Sequence, residues 1–162
     1  MQPYPTLAGF NQWATGRIYD CVSVLSEDDY RLDRKAFFSS IHATLNHLLL
    51  IDRLWTYRIK NTPLSFSSLG DILYDDFQEL RSAQEAENIS LIELVNSFSE
   101  GGLQARIKYK SSEGTPNERQ VWLILTTLFN HHTHHRGQIH TMLTQSDINP
   151  PPLDIIHYVL EN

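Results

Sequence analysis

Residues 119–143 read RQVWLILTTLFNHHTHHRGQIHTML and contain five of the eight histidines in the chain. The apolar residues of this stretch recur at spacings of three and four, which places them on one stripe of an amphipathic helix: Val121, Ile124, Leu125, Leu128, Ile139 and Met142. We therefore predict a long helix from about Arg119 to Leu143. Because His131 and His135 fall within the stripe, two imidazoles should face the interior that this helix shares with its neighbours.

Three earlier segments show the same helical periodicity. They predict helices at about Tyr4–Leu25, from Phe37 or Ser39 to Asn61, and at about Asp75–Phe98. The polar segments 26–34 and 65–70 read as the connections between these helices, and the polar stretch 84–90 is a place where the third helix could break. We expect Gly101-Gly102 to end that helix. Four amphipathic helices of this length predict an all-α protein, a four-helix bundle.

Two smaller elements complete the predicted fold. Alternation at Ala105, Ile107 and Tyr109, followed by the turn residues Glu113-Gly114, predicts a small β-hairpin before the last long helix. Residues 148–153 include three consecutive prolines and cannot be helical, so a short terminal helix is expected at 154–160. With 162 residues, no internal repeat and no linker, the sequence predicts a single domain over residues 1–162.

The composition limits the classes of function. Apolar residues make up 41% of the chain, which is typical of a globular protein, and the net charge of −6 argues against a nucleic-acid-binding surface. We find no run near the roughly 20 apolar residues that a membrane-spanning helix needs. Cys21 is the single cysteine, so no intrachain disulfide can form, which fits a reducing compartment. We therefore expect a soluble, cytoplasmic protein with neither a nucleic-acid nor a membrane partner.

His131 and His135 have the spacing of a metal-binding pair. Residues four apart on a helix lie one turn above each other, about 6 Å apart at Cβ, so both imidazoles can reach one ion. No glutamate follows His131, which excludes the metalloprotease motif. The pairs His131/His134 and His132/His135 stay open geometrically, as does the interpretation that these are hydrogen-bonded core histidines.

His47 is the candidate for a third ligand, because it shares the inner face of the second helix with Thr44, Ile51 and Leu54. A lone histidine on an apolar face is more often a hydrogen-bonded core residue. If His47 lies opposite His131 and His135, however, one ion would bind three buried imidazoles at once and meet the need of each for a polar partner. Three nitrogen ligands would leave coordination positions open, as in catalytic rather than structural sites.

The remaining candidates have weaker arguments. We expect His134 to point to solvent, His132 to be a core residue at the flank of the stripe, and His42 to face outward, while His140 and His157 should be surface or packing residues. Asp52 lies at the edge of the inner face. It could orient a histidine by accepting a hydrogen bond from outside the coordination sphere, or pair with Arg53 or Arg136. No residue is predicted to be catalytic.

Four segments of the chain resemble the DinB family, whose name comes from damage-inducible genes. They are LAGFNQWATGRI, NHLLLIDRLW, LFNHHTHHRGQI and PPPLDIIHYVLE, which together extend over nearly the whole length. The most specific element is Asn-His followed, after three residues, by His-Arg-Gly-Gln. The resemblance implies a DinB/YfiT-like four-helix bundle with one metal ion bound by His47, His131 and His135.

The resemblance also implies a range of functions. Relatives include thiol-dependent transferases and isomerases, so one hypothesis is a metal-dependent enzyme, a thiol S-transferase or a hydrolase, that activates a low-molecular-weight thiol or water. The alternatives are a non-catalytic metal-binding stress-response module and a metal-free homodimeric interaction bundle. We favour nickel or zinc as the divalent ion, although nitrogen-only sites also accept iron or copper. Within the motif, Arg136 is expected to form a salt bridge, either inside the bundle or at an interface, and Gly137 to permit close helix approach.

Overall fold

The computed structural model describes residues 3–63, 65–111 and 113–162. Its elements in chain order are α1 (Tyr4–Val22), α2 (Glu27–Arg31), α3 (Ile41–Lys60), α4 (Phe77–Asn96), α5 (Glu100–Gln104), β1 (Arg106–Lys110), β2 (Pro116–Gln120), α6 (Val121–Thr144) and α7 (Ile155–Glu161).

The four long helices form the predicted bundle. Helix α1 packs against α4 and α6, and α3 packs against the same two helices, so α1 and α3 occupy opposite corners. The leucines and isoleucines of the helical stripes are buried in the core, with Leu45, Leu125 and Ile139 fully inaccessible to solvent. Burying such side chains is worth about 1.5–3 kcal/mol each, which makes this core the main source of stability.

The predicted hairpin and terminal helix are confirmed. Strands β1 and β2 pair antiparallel from Arg106 with Gln120 to Lys110 with Pro116. Strand β1 packs on α3 and β2 on α6, so the hairpin covers one end of the groove between these helices. Residues 119 and 120 belong to β2, and α6 therefore begins at Val121, two residues later than the helical periodicity predicts.

Serine caps account for several helix starts. Ser40 caps α3 by accepting a hydrogen bond from the Ala43 amide, and Ser26 caps α2 through Asp29. The predicted loop 26–34 therefore contains a short helix. The prediction that Gly101-Gly102 ends the third helix is wrong. Helix α4 ends at Asn96, and both glycines lie inside α5, which Ser99 caps. Helix α4 also runs unbroken through its polar middle.

A cluster of buried polar side chains crosses the bundle and explains why α4 stays intact. Each long helix contributes two residues four apart: Asn11 and Thr15, Asp52 and Thr56, Gln84 and Asn88, His132 and Arg136. We call these eight residues the polar cluster. Inside it, both oxygens of Asp52 accept hydrogen bonds at 2.7 Å, one from His132 Nε2 and one from Gln84 Nε2. Two polar residues of α4 thus face the interior, where Gln84 donates to Asp52 on α3 and to Asn88 one turn further along α4.

Two expectations about single residues are wrong, and a third, the salt bridge of Arg136, is not met inside the part of the bundle that the structure describes. His42 is buried, not outward-facing, because its ring lies 3.0 Å from the hydroxyl of Tyr30 on α2. Arg136 makes no ion pair within the described residues, and its guanidinium donates to Asn11 and lies over the ring of Phe10. Gly137 has open space where a Cβ would stand, so close helix approach does not account for it.

Candidate metal centre

Three histidine rings from α3 and α6 meet at one point of the bundle. One nitrogen from each of His47, His131 and His135 lies within 4.8 Å of the others. Nε2 of His47 lies 2.9 Å from Nε2 of His131, across 84 residues of sequence. Two nitrogens that bind one ion at about 2.1 Å lie roughly 3.0–3.4 Å apart for bond angles of about 90–110°. Small ring movements would therefore place all three rings around one divalent ion.

Hydrogen bonds on the far side of two rings fix their tautomers. Nδ1 of His47 lies 2.8 Å from the Leu69 carbonyl oxygen, and Nδ1 of His135 lies 2.8 Å from Oε1 of Gln138. Since a carbonyl oxygen can only accept, each Nδ1 carries the proton and donates it. Each Nε2 therefore has a lone pair that can bind an ion, although that of His47 can also accept a hydrogen bond from Nε2 of His131. The hydrogen bonds to Leu69 and Gln138 hold both rings in place.

Burial keeps the three imidazoles uncharged. Desolvation, together with the neighbouring histidines, lowers the pKa of His47 to about 4 and that of His131 to about 3. The pKa of His135 is also lowered, mainly by burial. All three rings are therefore neutral at pH 7, which is the form that binds metal ions. The described residues within this cluster include no carboxylate, so the donor set is three neutral nitrogens.

Two clefts adjoin the three-histidine cluster. The first, of about 450 Å³, reaches His47 and His135 and has aromatic walls formed by Phe37 and Phe38. Phe38 stacks on the ring of His47, with their centroids 3.9 Å apart. The second cleft, of about 280 Å³, reaches His131 from the side of the β-hairpin. A ligand could therefore approach the cluster from either side.

The other sequence candidates lie away from the cluster. Asp52 contacts His132 and Gln84 in the polar cluster, and neither contact involves the three converging rings. The pairing of Asp52 with Arg53 or Arg136 is not observed, because Arg53 faces Glu87, with 3.7 Å between Nε and Oε2, and Arg136 binds Asn11. His132 is the buried, hydrogen-bonded core residue that the periodicity allowed, and His134 is exposed.

Sequence reasoning did not assign the two outer partners of the rings. The contact of Gln138 with His135 could have been predicted from the sequence, because residues three positions apart lie on the same face of a helix. Leu69 contributes a backbone oxygen from the connection between α3 and α4, and no sequence pattern marks such a contact. Nε2 of Gln138 lies 3.1 Å from Nε2 of His134, which fits an amide whose oxygen is turned toward His135.

We expect Gln138→Ala to lower metal affinity by about 10–100-fold, because outer partners of this kind contribute that much elsewhere. Without the amide oxygen, Nδ1 of His135 loses its acceptor and the ring can turn or change tautomer. Competition against a chromophoric chelator measures the change. Gln145→Ala is the matched control, since Gln145 lies at the exposed end of α6. Equal affinity of both variants for the metal would contradict the assigned role of Gln138.

The fold and the cluster together define a class: a helical bundle in which two long helices bring three neutral histidines to one point. Comparison with known families makes this specific. A model of the DinB family matches residues 1–160, and the chain belongs to that family. It is similar to Protein DinB of Bacillus subtilis (strain 168), with 25% identity over 152 residues that represent 90% of this chain and 87% of the relative. Among the described residues, no helix is both long and apolar enough to cross a bilayer.

Proposed function

We propose that this protein binds one divalent metal ion through His47, His131 and His135 and uses it to activate a thiol or water nucleophile. The observation that carries the proposal is the orientation of the rings. Two of them donate from Nδ1 to fixed carbonyl oxygens and turn Nε2 toward a common point. A hydrogen bond between His131 and His47 would account for one of these contacts, whereas a single ion would bind all three nitrogens at once.

Nickel or zinc is the ion we favour, and iron or copper would also suit a site with only nitrogen ligands. Three protein ligands leave coordination positions open, as catalytic sites do. When bound, such an ion acts as a Lewis acid and lowers the pKa of a neighbouring thiol or water. The ligands come from two helices, so the same ion would also join α3 to α6. We assign no general base.

The surroundings favour a small-molecule substrate with an apolar part. The aromatic walls of the 450 Å³ cleft lie directly against His47 and His135, and its size matches the 300–1,000 Å³ of small-molecule sites. In a thiol transfer, the thiol would lose its proton to solvent and its sulfur would form a bond to an electrophilic carbon of this substrate. The bond from that carbon to the leaving group would break, and the leaving group would depart with the bonding electron pair. A low-molecular-weight thiol as co-substrate, and a homodimeric assembly, are parts of the proposal that rest on the family resemblance.

Chelation is the test of this function. Protein purified without a histidine tag is expected to contain about one equivalent of divalent metal, and a chelator should remove both the metal and thiol-transfer activity toward a small electrophile. Adding back nickel or zinc should restore activity and raise the melting temperature, because the ion binds only the folded chain. A stabilised protein without turnover would instead favour the non-catalytic metal-binding module. Metal content near zero after reloading would contradict both.

A further inference from the structure

Among the described residues that line the second cleft, one side chain is charged. Its described lining includes apolar, aromatic and neutral polar residues, together with His131 at one end and Arg58. None of these lining residues is a carboxylate. The hairpin supplies Tyr109, Ser111 and Asn117, and α3 supplies Ile51, Leu54 and Trp55. The cleft therefore combines a positive charge with an apolar floor next to the three-histidine cluster.

Two aromatic rings and one backbone oxygen hold the guanidinium of Arg58 in place, and no carboxylate of the described residues pairs with it. Its central carbon lies 4.8 Å from the ring centre of Trp55 and 4.4 Å from that of Tyr109. One nitrogen donates to the carbonyl oxygen of Lys110 at 2.9 Å. These contacts combine cation–π attraction with a hydrogen bond, so the side chain is already ordered before any ligand arrives.

Arg58 differs in this respect from most other arginines of the chain. Six of them pair with a carboxylate within 4.0 Å: Arg17, Arg31, Arg34, Arg53, Arg81 and Arg106. Within the described residues, Arg58 has no such pair, and its one recorded hydrogen bond goes to a backbone oxygen. A guanidinium has five N–H donors in a planar fork that matches a carboxylate, so most of the donors of Arg58 stay available on the wall of the cleft.

We propose that Arg58 binds a carboxylate of a ligand whose other end reaches the three-histidine cluster. The proposal deepens the proposed function and rests on it for the position of the reacting end. Trp55, which the guanidinium overlies, follows His47 by eight residues on α3, a distance of roughly 12 Å along the helix. Arg58 itself follows His47 by eleven residues, and its guanidinium leans back over Trp55. The ligand must therefore extend over roughly 12 Å, which is the length of a small peptide rather than of a single amino acid.

Binding of matched probes tests this proposal. The probes are glutathione, a tripeptide thiol with two carboxylates, and its dimethyl ester, which keeps the thiol and loses both carboxylates. We expect nickel-loaded protein to bind glutathione about tenfold or more tightly than the ester in calorimetric titrations, because charge-assisted bidentate bonds are among the strongest. In Arg58→Gln this preference should fall below about twofold, while affinity for the ester stays unchanged.

Controls separate a binding role from a structural one. Arg106→Gln removes an exposed arginine of the hairpin that packs on α3, and this variant should keep the preference of the wild type for glutathione over its ester. If Arg58 only fastens the hairpin to α3, Arg58→Gln will weaken both probes equally and the preference will survive, which overturns the proposal. Equal affinity of the wild type for the two probes overturns it as well.

The metal-free protein distinguishes failure of this proposal from failure of the metal site. In nickel-loaded protein, an absorption band from a thiolate–nickel bond shows that sulfur binds at the three-histidine cluster. If neither probe gives this band, the proposed function is contradicted, but the carboxylate site at Arg58 is not. The preference of metal-free protein for glutathione over its ester depends on Arg58 and not on the ion. If metal-free wild type prefers glutathione and metal-free Arg58→Gln does not, the carboxylate site is supported even when the thiolate–nickel band is absent.

Discussion

Replacement of His47 or His131 by alanine is expected to lower metal affinity more than a hundredfold. Loss of an outer hydrogen-bond partner alone costs about 10–100-fold, and loss of a ligand removes a metal–nitrogen bond as well. The two variants act from different helices, so equal losses would show that α3 and α6 contribute to the same ion. Metal content after dialysis, measured by elemental analysis, and competition against a chelator give the affinities.

His140→Ala is the matched control for these variants. His140 lies on α6 beyond the cluster, outside the group of converging rings, and its removal should leave stoichiometry and affinity within about twofold of the wild type. Helical circular dichroism of the metal-free variants shows whether the bundle is intact. Full metal content in folded His47→Ala would place the ion elsewhere and remove the basis of the proposed function.

The convergence of the three histidine rings was expected in part from the sequence, because it depends on two helical faces. Periodicity places His131 and His135 on the buried stripe of α6, and the same argument places His47 on the inner face of α3. Burial of those faces brings the rings into one interior but leaves other histidine pairs open, and the resemblance to the DinB family supplied the choice of these three. The convergence of the rings, and the neutral state that their burial enforces, follow from these positions.

What the sequence did not predict are contacts between segments that lie far apart in the chain. A polar run in α4 suggested a break, yet Gln84 binds Asp52 across 32 residues, and the helix continues. Likewise, the hydrogen bond from His47 to the oxygen of Leu69 and the contact of Arg58 with Tyr109 depend on how a connection and a hairpin fold back on α3. The helix propensity of a segment depends only on its own residues and therefore cannot reveal a partner elsewhere in the chain. Helix periodicity can be read from the segment itself, which is why it predicted the buried faces.

The second large effect is expected for Asp52→Ala, which should destabilise the metal-free protein by about 3–5 kcal/mol. Asp52 is fully buried and accepts hydrogen bonds from His132 and Gln84, so its removal leaves two donors unsatisfied in the core. Its charge also raises the pKa of Arg136, which burial lowers to about 10. Without Asp52, the nearby buried guanidinium of Arg136 loses a favourable charge. Urea denaturation monitored by circular dichroism measures the loss.

Asp52→Asn separates stability from metal binding. It retains an oxygen that can accept from His132 but not a second oxygen for Gln84, so we expect a smaller loss of stability than for Asp52→Ala. The control Glu93→Ala changes an exposed carboxylate on α4 and should stay within about 0.5 kcal/mol of the wild type. Because Asp52 contacts His132 and not the three converging rings, Asp52→Asn should keep metal affinity within a few-fold. A loss of metal affinity as large as that of Gln138→Ala would instead mean that Asp52 orients His131 through the neighbouring residue His132. In that case the polar cluster would belong to the metal centre.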